Sequence, residues 1–243
     1  MAHYFASDVH LRPDYPGRGV RFHEFVSSLQ ADDSLTIVGD LCDFWMGARM
    51  SEREIGRCEG MPALAEFRRR GGTLAIMAGN HDLWLCPLYE RLLDASIIEE
   101  PFEQVVNGLK IHLVHGHLLG ARARWKGFME SRAFFRGFGA LPKPVAVRLD
   151  AMLARKNSRE LFADEERHLA IYRTYAGSLV SKPDLAILGH VHRPVDEATG
   201  GPRLIVLGGW QRGSSFLKID EKGASFLVRP AAKPNHPEHV LDR

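Results

Sequence analysis

Five short apolar runs, at residues 3–7, 34–38, 73–78, 110–114 and 184–188, each break off into a cluster of acidic, imidazole or amide side chains. Asp8-Val9-His10 ends the first run and Gly39-Asp40-Leu41-Cys42-Asp43 the second. Gly79-Asn80-His81-Asp82 ends the third, His115-Gly116-His117 the fourth and Gly189-His190-Val191-His192 the fifth. Runs of this length, separated by longer amphipathic segments, are the pattern of an α/β fold with parallel strands inside and helices outside. Residues 61–70 are such a segment, with apolar positions at helical spacing and Gly71-Gly72 as the stop. In an open α/β sheet the carboxyl ends of the strands line the crevice where ligands bind, so these five clusters are expected to converge.

Beyond residue 200 the pattern changes. Leu204–Gly208, Ser214–Ile219 and Ala224–Val228 are closely spaced β-like runs, expected as an antiparallel meander, and residues 231–243 are expected to form a loose tail. The 243 residues carry 45% hydrophobic and 26% charged side chains and a formal charge of +2, which excludes a disordered chain and bulk-charge binding of nucleic acid. No run reaches the roughly 20 apolar residues of a bilayer span, and the first eight residues lack the charged and apolar regions of an export signal. Cys42, Cys58 and Cys86 contain no C-x-x-C pair, which argues against a disulfide framework and a cysteine zinc site and for a reducing, cytoplasmic setting.

Carboxylate, imidazole and amide oxygen form a hard-to-borderline ligand set suited to Mn²⁺, Fe or Zn²⁺. A carboxylate with oxygens facing two ways can bridge two ions about 3.5–4 Å apart, the spacing that clamps a phosphoryl group, and Asp40 is the candidate bridge. Gly39, Gly79, Gly116 and Gly189 stand where the backbone must turn sharply off a strand. Simpler roles stay open for several neighbours: His81 or His117 could support the ligands, Cys42 could be a filler behind the bridge, and Asp43 could cap a helix.

The order Asp-x-His, Gly-Asp-x-x-Asp, Gly-Asn-His-Asp, His-Gly-His, Gly-His-x-His, spanning residues 8 to 192, resembles that of the calcineurin-like metallophosphoesterases. The resemblance implies an αββα sandwich holding two divalent metal ions, with Mn preferred and Fe or Zn open. It implies that Asp8, His10, Asp40 and His192 hold one ion and that Asp40, Asn80, His115 and His190 hold the other. His81 would stabilise charge on phosphorus or protonate the leaving group, with the Asp82 carboxylate orienting its ring. The implied reaction is in-line attack of a metal-bridging hydroxide, with no covalent enzyme intermediate.

From His115 to His190 is 75 positions, against 32 to 40 between the earlier clusters, so an insertion falls between two ligands of one ion. The expected organisation is a core of residues 1–118 and 176–230 with a helical cap of residues 119–175. Residues 120–160 carry ten Lys or Arg against three acids, interleaved with Trp125, Phe128, Met129, Phe134, Phe135, Phe138 and Leu141. A cap both cationic and apolar suits an anionic lipid, or the surface of an anionic membrane. The aromatics could equally be the cap's own small core.

Gly39-Asp40-Leu41-Cys42-Asp43-Phe44-Trp45, the inserted Arg155-Lys156-Asn157-Ser158-Arg159-Glu160 and Leu207-Gly208-Gly209-Trp210 resemble one branch of that family, the UDP-2,3-diacylglucosamine diphosphatases of lipid A synthesis. That resemblance implies release of UMP and 2,3-diacylglucosamine 1-phosphate, with Trp45, Asn80, His81, Arg155, Ser158 and His190 at the substrate. It implies a nucleotide-linked lipid substrate and peripheral contact with the cytoplasmic face of the inner membrane, with no nucleic acid and no obligate protein partner. His81 departs from the branch, which commonly has arginine there. The alternatives are another nucleotide-linked lipid or sugar as substrate, or a metal-free scaffold of the same fold.

Overall fold

The computed structural model describes residues 1–120, 128 and 131–230, with the side chains of 151 and 153–164 excepted. All eight apolar runs are strands: β1 (His3–Ala6), β2 (Ser34–Val38), β3 (Thr73–Met77), β6 (Leu109–Val114), β7 (Leu185–Leu188), β9 (Arg203–Val206), β10 (Gly213–Asp220) and β11 (Gly223–Pro230). Three more, β4 (Ser96–Ile98), β5 (Phe102–Val106) and β8 (Val195–Glu197), complete two sheets. The first sheet has the order β11-β10-β1-β2-β3-β4 and the second the order β5-β6-β7-β9-β8. β1 to β4 are mutually parallel, as are β6, β7 and β9.

The expected meander is corrected here. Of these three runs only β10 and β11 pair with each other as an antiparallel hairpin, which extends the first sheet beside β1. β9 lies parallel to β7 in the second sheet. Its four residues run from half-buried to fully buried, and it lies between parallel β7 on one side and antiparallel β8 on the other.

The described helices are α1 (Pro16–Ser27), α2 (Phe44–Arg49), α3 (Glu52–Gly56), α4 (Met61–Arg69), α5 (Cys86–Leu93), α6 (Arg132–Ala140) and α7 (Lys143–Gly177). Strand alternation sorts side chains into three apolar layers. Between the sheets, Phe5, Val38 and Met77 meet Leu113, Ile187 and Ile205. On the outer face of the first sheet, Ala6, Ile37 and Ile76 meet Phe22 and Phe25 of α1 and Leu64 and Phe67 of α4. Outside the second sheet, Ala186, Leu188 and Val206 meet Leu169, Tyr172 and Ala176 of α7. The result is an αββα sandwich in which the exits of β1, β2, β3, β6 and β7 share one edge.

With 35 residues, α7 is about 52 Å long at 1.5 Å per residue. The expected boundary at residue 176 falls inside this helix, whose last turns roof the second sheet through Leu169, Tyr172 and Ala176. Residues 231–243 lie outside the described ones.

Candidate metal centre

Four of the seven expected ligands, Asp8, His10, Asp40 and His190, occupy the left-handed region with φ of 52°, 49°, 55° and 65°. Such a conformation disfavours any residue with a Cβ, and it turns the chain abruptly so that the side chain re-enters the strand edge. Glycine spacing supports the same geometry. A Cβ on Gly79 would lie 2.1 Å from Asp40 Oδ1, and one on Gly39 would lie 2.1 Å from His115 Nδ1.

The ligand atoms gather into two lobes that share Asp40. In the first, Asp8, His10 and His192 converge: His10 Nε2 is 3.8 Å and His192 Nε2 3.6 Å from Asp8 Oδ1, and the two nitrogens are 3.1 Å apart. In the second, Asp40, His115 and His190 converge, and Asn80 Oδ1 is 3.3 Å from His115 Nε2. Asp40 divides its oxygens between duties. Oδ1 accepts the His81 backbone N–H at 2.8 Å, while Oδ2 lies 3.7 Å from His10 Nε2 and 3.5 Å from His115 Nε2. Oδ2 alone thus faces both lobes, so a bridge would run through this one oxygen and not through two oxygens facing opposite ways, because Oδ1 is taken by the His81 N–H.

The residues present fit divalent cations. Asp8 Oδ2 accepts the His190 N–H at 2.9 Å, but buried Asp8 Oδ1 has no hydrogen-bond donor, a costly arrangement unless positive charge faces it. His115 Nδ1 donates to the Val38 carbonyl at 2.9 Å, which turns Nε2 toward the Asn80 and Asp40 oxygens. Positive charge at that point comes from a proton or from a metal ion. Burial opposes the His115 charge, yet Asp40 and Asp8 raise its pKa to about 10. Burial also opposes the Asp40 charge, but His115 holds that carboxyl well below its ordinary value. Asp8 is pushed up to about 7 by burial. Burial drives His10 and His190 well below the ordinary histidine value and His192 to about 4, so all three present lone pairs.

His81 stands beside the first lobe with its ring 4.6 Å from that of His10, and it forms a third possible cation-holding group with His10 and Asp40. Its Nδ1 is buried without a partner. Asp82 does not orient it, contrary to expectation. The Asp82 carboxylate accepts from Gly79 N (2.8 Å), Leu41 N (2.8 Å), Asp40 N (3.3 Å) and the Tyr89 hydroxyl (2.9 Å), so it clamps the β2 exit. Burial and the nearby Asp40 charge raise its pKa.

Trp45, expected at the substrate, packs among Arg12, Arg49 and Phe138 of α6. The Arg12 guanidinium lies 5.0 Å and the Arg49 guanidinium 5.8 Å from its ring, and Phe138 meets it edge-on at 6.0 Å. The side chains of Arg155 and Ser158 lie outside the described ones. Asp43 caps α2 by accepting from Trp45 N at 3.1 Å, and Cys42 is fully buried behind the bridge, the modest roles left open for both. α6 docks on α2 through Phe44, whose ring is 5.5 Å from Phe135 and 5.1 Å from Phe138, and through Arg49, which donates to the Gly139 and Leu141 carbonyls at 2.7 and 2.6 Å. Phe138 is therefore buried, Phe134 and Phe135 are half-buried, and Phe128, Val145, Val147 and Met152 are exposed. Trp125 and Met129 lie outside the described residues.

Sequence reasoning missed three supports. Glu100 accepts the backbone N–H groups of His115 (2.7 Å) and Gly116 (3.3 Å) and lies 3.4 Å from His117 Nδ1. Tyr172 of α7 donates to the Gly189 carbonyl at 3.1 Å, and a Cβ on Gly116 would meet its hydroxyl at 2.6 Å, so one side chain sets two ligand turns. His168, one turn earlier on α7, has its ring 6.0 Å from His190. No motif surrounds any of the three.

The fold and the edge cluster define a class, and the calcineurin-like phosphoesterase profile matches residues 3–194: the chain belongs to that family. It is therefore a hydrolase of phosphate esters, from a family whose members use divalent metals. At the level of individual proteins it is similar to the UDP-2,3-diacylglucosamine hydrolase of Nitrosococcus oceani, 28% identical, with 93% of this chain and 94% of the relative covered. It is likewise similar to the proteins of that name from Haemophilus influenzae (26%; 93% and 98% covered) and Ralstonia nicotianae (28%; 90% and 89% covered). Among the described residues, no helix is long and apolar enough to cross a membrane.

Proposed function

We propose that this chain hydrolyses the diphosphate of UDP-2,3-diacylglucosamine, yielding UMP and 2,3-diacylglucosamine 1-phosphate at a two-ion centre. The observation that carries the reading is the pair of acceptor-rich lobes sharing Asp40 beside a cap with exposed apolar side chains. Similarity to hydrolases of that name over nearly the full length supports the substrate. Asp8, His10, Asp40 and His192 would hold one ion and Asp40, Asn80, His115 and His190 the other, with Mn preferred and Fe or Zn open. Bound there, the ions supply charge neutralisation on the phosphate oxygens and an acidified water.

The chain's own part is placement. Val38 fixes the tautomer of His115, Asp82 and Glu100 hold the turns that carry the ligands, and His81 faces the reacting region as donor to a phosphate oxygen or to the leaving group. Phe128, Val145, Val147 and Met152, interspersed with exposed Arg132, Arg136, Lys143 and Arg148, would rest on the cytoplasmic face of the membrane that holds the lipid. Position 81 favours one second reading: histidine in place of the branch's arginine suits a different nucleotide-linked head group.

The test is turnover with Mn²⁺ of UDP-2,3-diacylglucosamine, UDP-glucose and bis(p-nitrophenyl) phosphate, by wild type and by D40A and H115A. We expect preference for the lipid, with hydrolysis abolished in both folded variants. Wild-type rates in either variant at limiting metal would refute the site, and a wild type that ignores the lipid would refute the substrate.

A further inference from the structure

A single guanidinium joins the cap helix to two of the ligand-bearing turns. Arg12 leaves the β1 exit two residues after His10. Its Nη2 lies 2.5 Å from Asp150 Oδ2 on α7, and its Nη1 lies 3.7 Å from Asp43 Oδ1, three residues after Asp40. Asp14 Oδ2 is 3.3 Å away, and the rings of Trp45 and Tyr15 lie 5.0 and 5.7 Å from the guanidinium carbon. The Arg12 side chain is only 10% exposed, with Asp43 and Asp150 at 19% and 18%, so these three charges are largely withdrawn from solvent while Asp14 stands in it.

We propose that Arg12 is a positioning residue that pins α7 over the metal centre and so sets the gap into which a long, cap-contacting substrate must fit. The anchors named above, among the described residues, act elsewhere. Phe44 and Arg49 hold α6 and its C-terminal carbonyls, ahead of the turn at Leu141-Pro142, while Tyr172 holds the far end of α7. Asp150 stands beyond that turn, where a bend at Pro142 would otherwise let the first part of α7 swing. A guanidinium suits the task because its planar fork reaches several carboxylates at once. Without it, Asp43 and Asp150 would face each other as like charges with little solvent between them, which pushes the cap outward.

The proposal rests on the reading of the cap as the lipid-contacting element, and its test separates the two. R12A, R12K and the exchanged pair R12D/D150R are assayed for kcat and KM on UDP-2,3-diacylglucosamine and on bis(p-nitrophenyl) phosphate, and by hydrogen exchange of the amides of residues 143–150. We expect R12A to lose about 10²-fold in kcat/KM on the lipid, chiefly through KM, because a displacement of about 1 Å at a distance has that effect. The aryl ester should stay within about threefold of wild type, since it draws on uniform contacts with the metal edge alone. The exchanged pair should recover most of the lipid activity, and the 143–150 amides should exchange faster in R12A while those of β2 and β3 do not.

Equal losses on both substrates, no recovery in the exchanged pair, or unchanged exchange along α7 would each overturn the pin. Should R12A fail to fold, R12K, which keeps the charge and loses the fork, carries the same comparisons. A wild type inactive on the lipid refutes the substrate reading instead, and the exchange measurement still judges Arg12.

Discussion

Gly79 is the position where one added carbon tests the geometry of the bridge most directly. In G79A the new Cβ would lie 2.1 Å from Asp40 Oδ1, 2.7 Å from its Cγ and 2.6 Å from its backbone N. An ordinary contact begins near 3.4 Å, so the carboxylate or the β3 exit must move by about 1.3 Å. The backbone N cannot yield easily, because Asp82 grips it together with Leu41 N and Gly79 N. The β3 exit must therefore back away from that N and the carboxylate must rotate as well, so Oδ2 leaves its place between His10 and His115. A displacement of that size predicts a fall of about 10²-fold in turnover. Overpacking adds a destabilisation of about 1–3 kcal/mol, which in a chain of this length lowers Tm by about 2–4 °C per kcal/mol. Hydrolysis of bis(p-nitrophenyl) phosphate with Mn²⁺, bound-metal analysis and a thermal melt measure the three effects. G137A is the control, since its Cβ would meet nothing within 4 Å and helical alanine is favourable. Wild-type turnover with a full metal complement in G79A would refute the placement of Asp40.

Two further outcomes follow from the same contacts. D82N presents an amide N–H toward backbone donors, so we expect a loss of about 1–3 kcal/mol in chemical denaturation together with reduced turnover of unaltered pH profile; disappearance of one limb of that profile would restore Asp82 as the partner of His81. Metal affinity should rise with pH, because His115, with a pKa of about 10, holds a proton that an ion must displace, and Asp8, at about 7, holds a second one below neutrality. Calorimetric titration with Mn²⁺ should thus give about a tenfold gain per pH unit between pH 7 and 9 and a steeper slope below pH 7, whereas a pH-independent affinity would contradict the assignment of these ligands.

The core and its edge were legible in the sequence because parallel strands buried on both faces leave uninterrupted apolar runs, and a polar cluster after such a run has one place to go. β4 and β8 were not, at three residues each, and β5 alternates as an edge strand whose polar positions dilute its signal. The ligand types could be listed, but not the partners that orient them. Asp82 follows His81 in the chain, yet its carboxylate turns to the β2 exit, and adjacency in sequence says nothing of that direction. Glu100, Tyr172 and Arg12 act through a carboxylate, a hydroxyl and a guanidinium whose targets lie far off in the chain, so local pattern carries no trace of them. Trp45, placed at the substrate by resemblance, and Phe138, one of the inserted aromatics, are joined in the fold by packing, which neighbouring sequence does not reveal.

The left-handed backbone at Asp8, His10, Asp40 and His190 carries a cost that any redesign will meet. Glycine would relax each of these four positions by about 1 kcal/mol or more while erasing the side chain that gives the position its purpose. Selection for thermal robustness alone would therefore drift toward an inert protein, and a screen that enriches sturdier variants without scoring hydrolysis should discard these residues early.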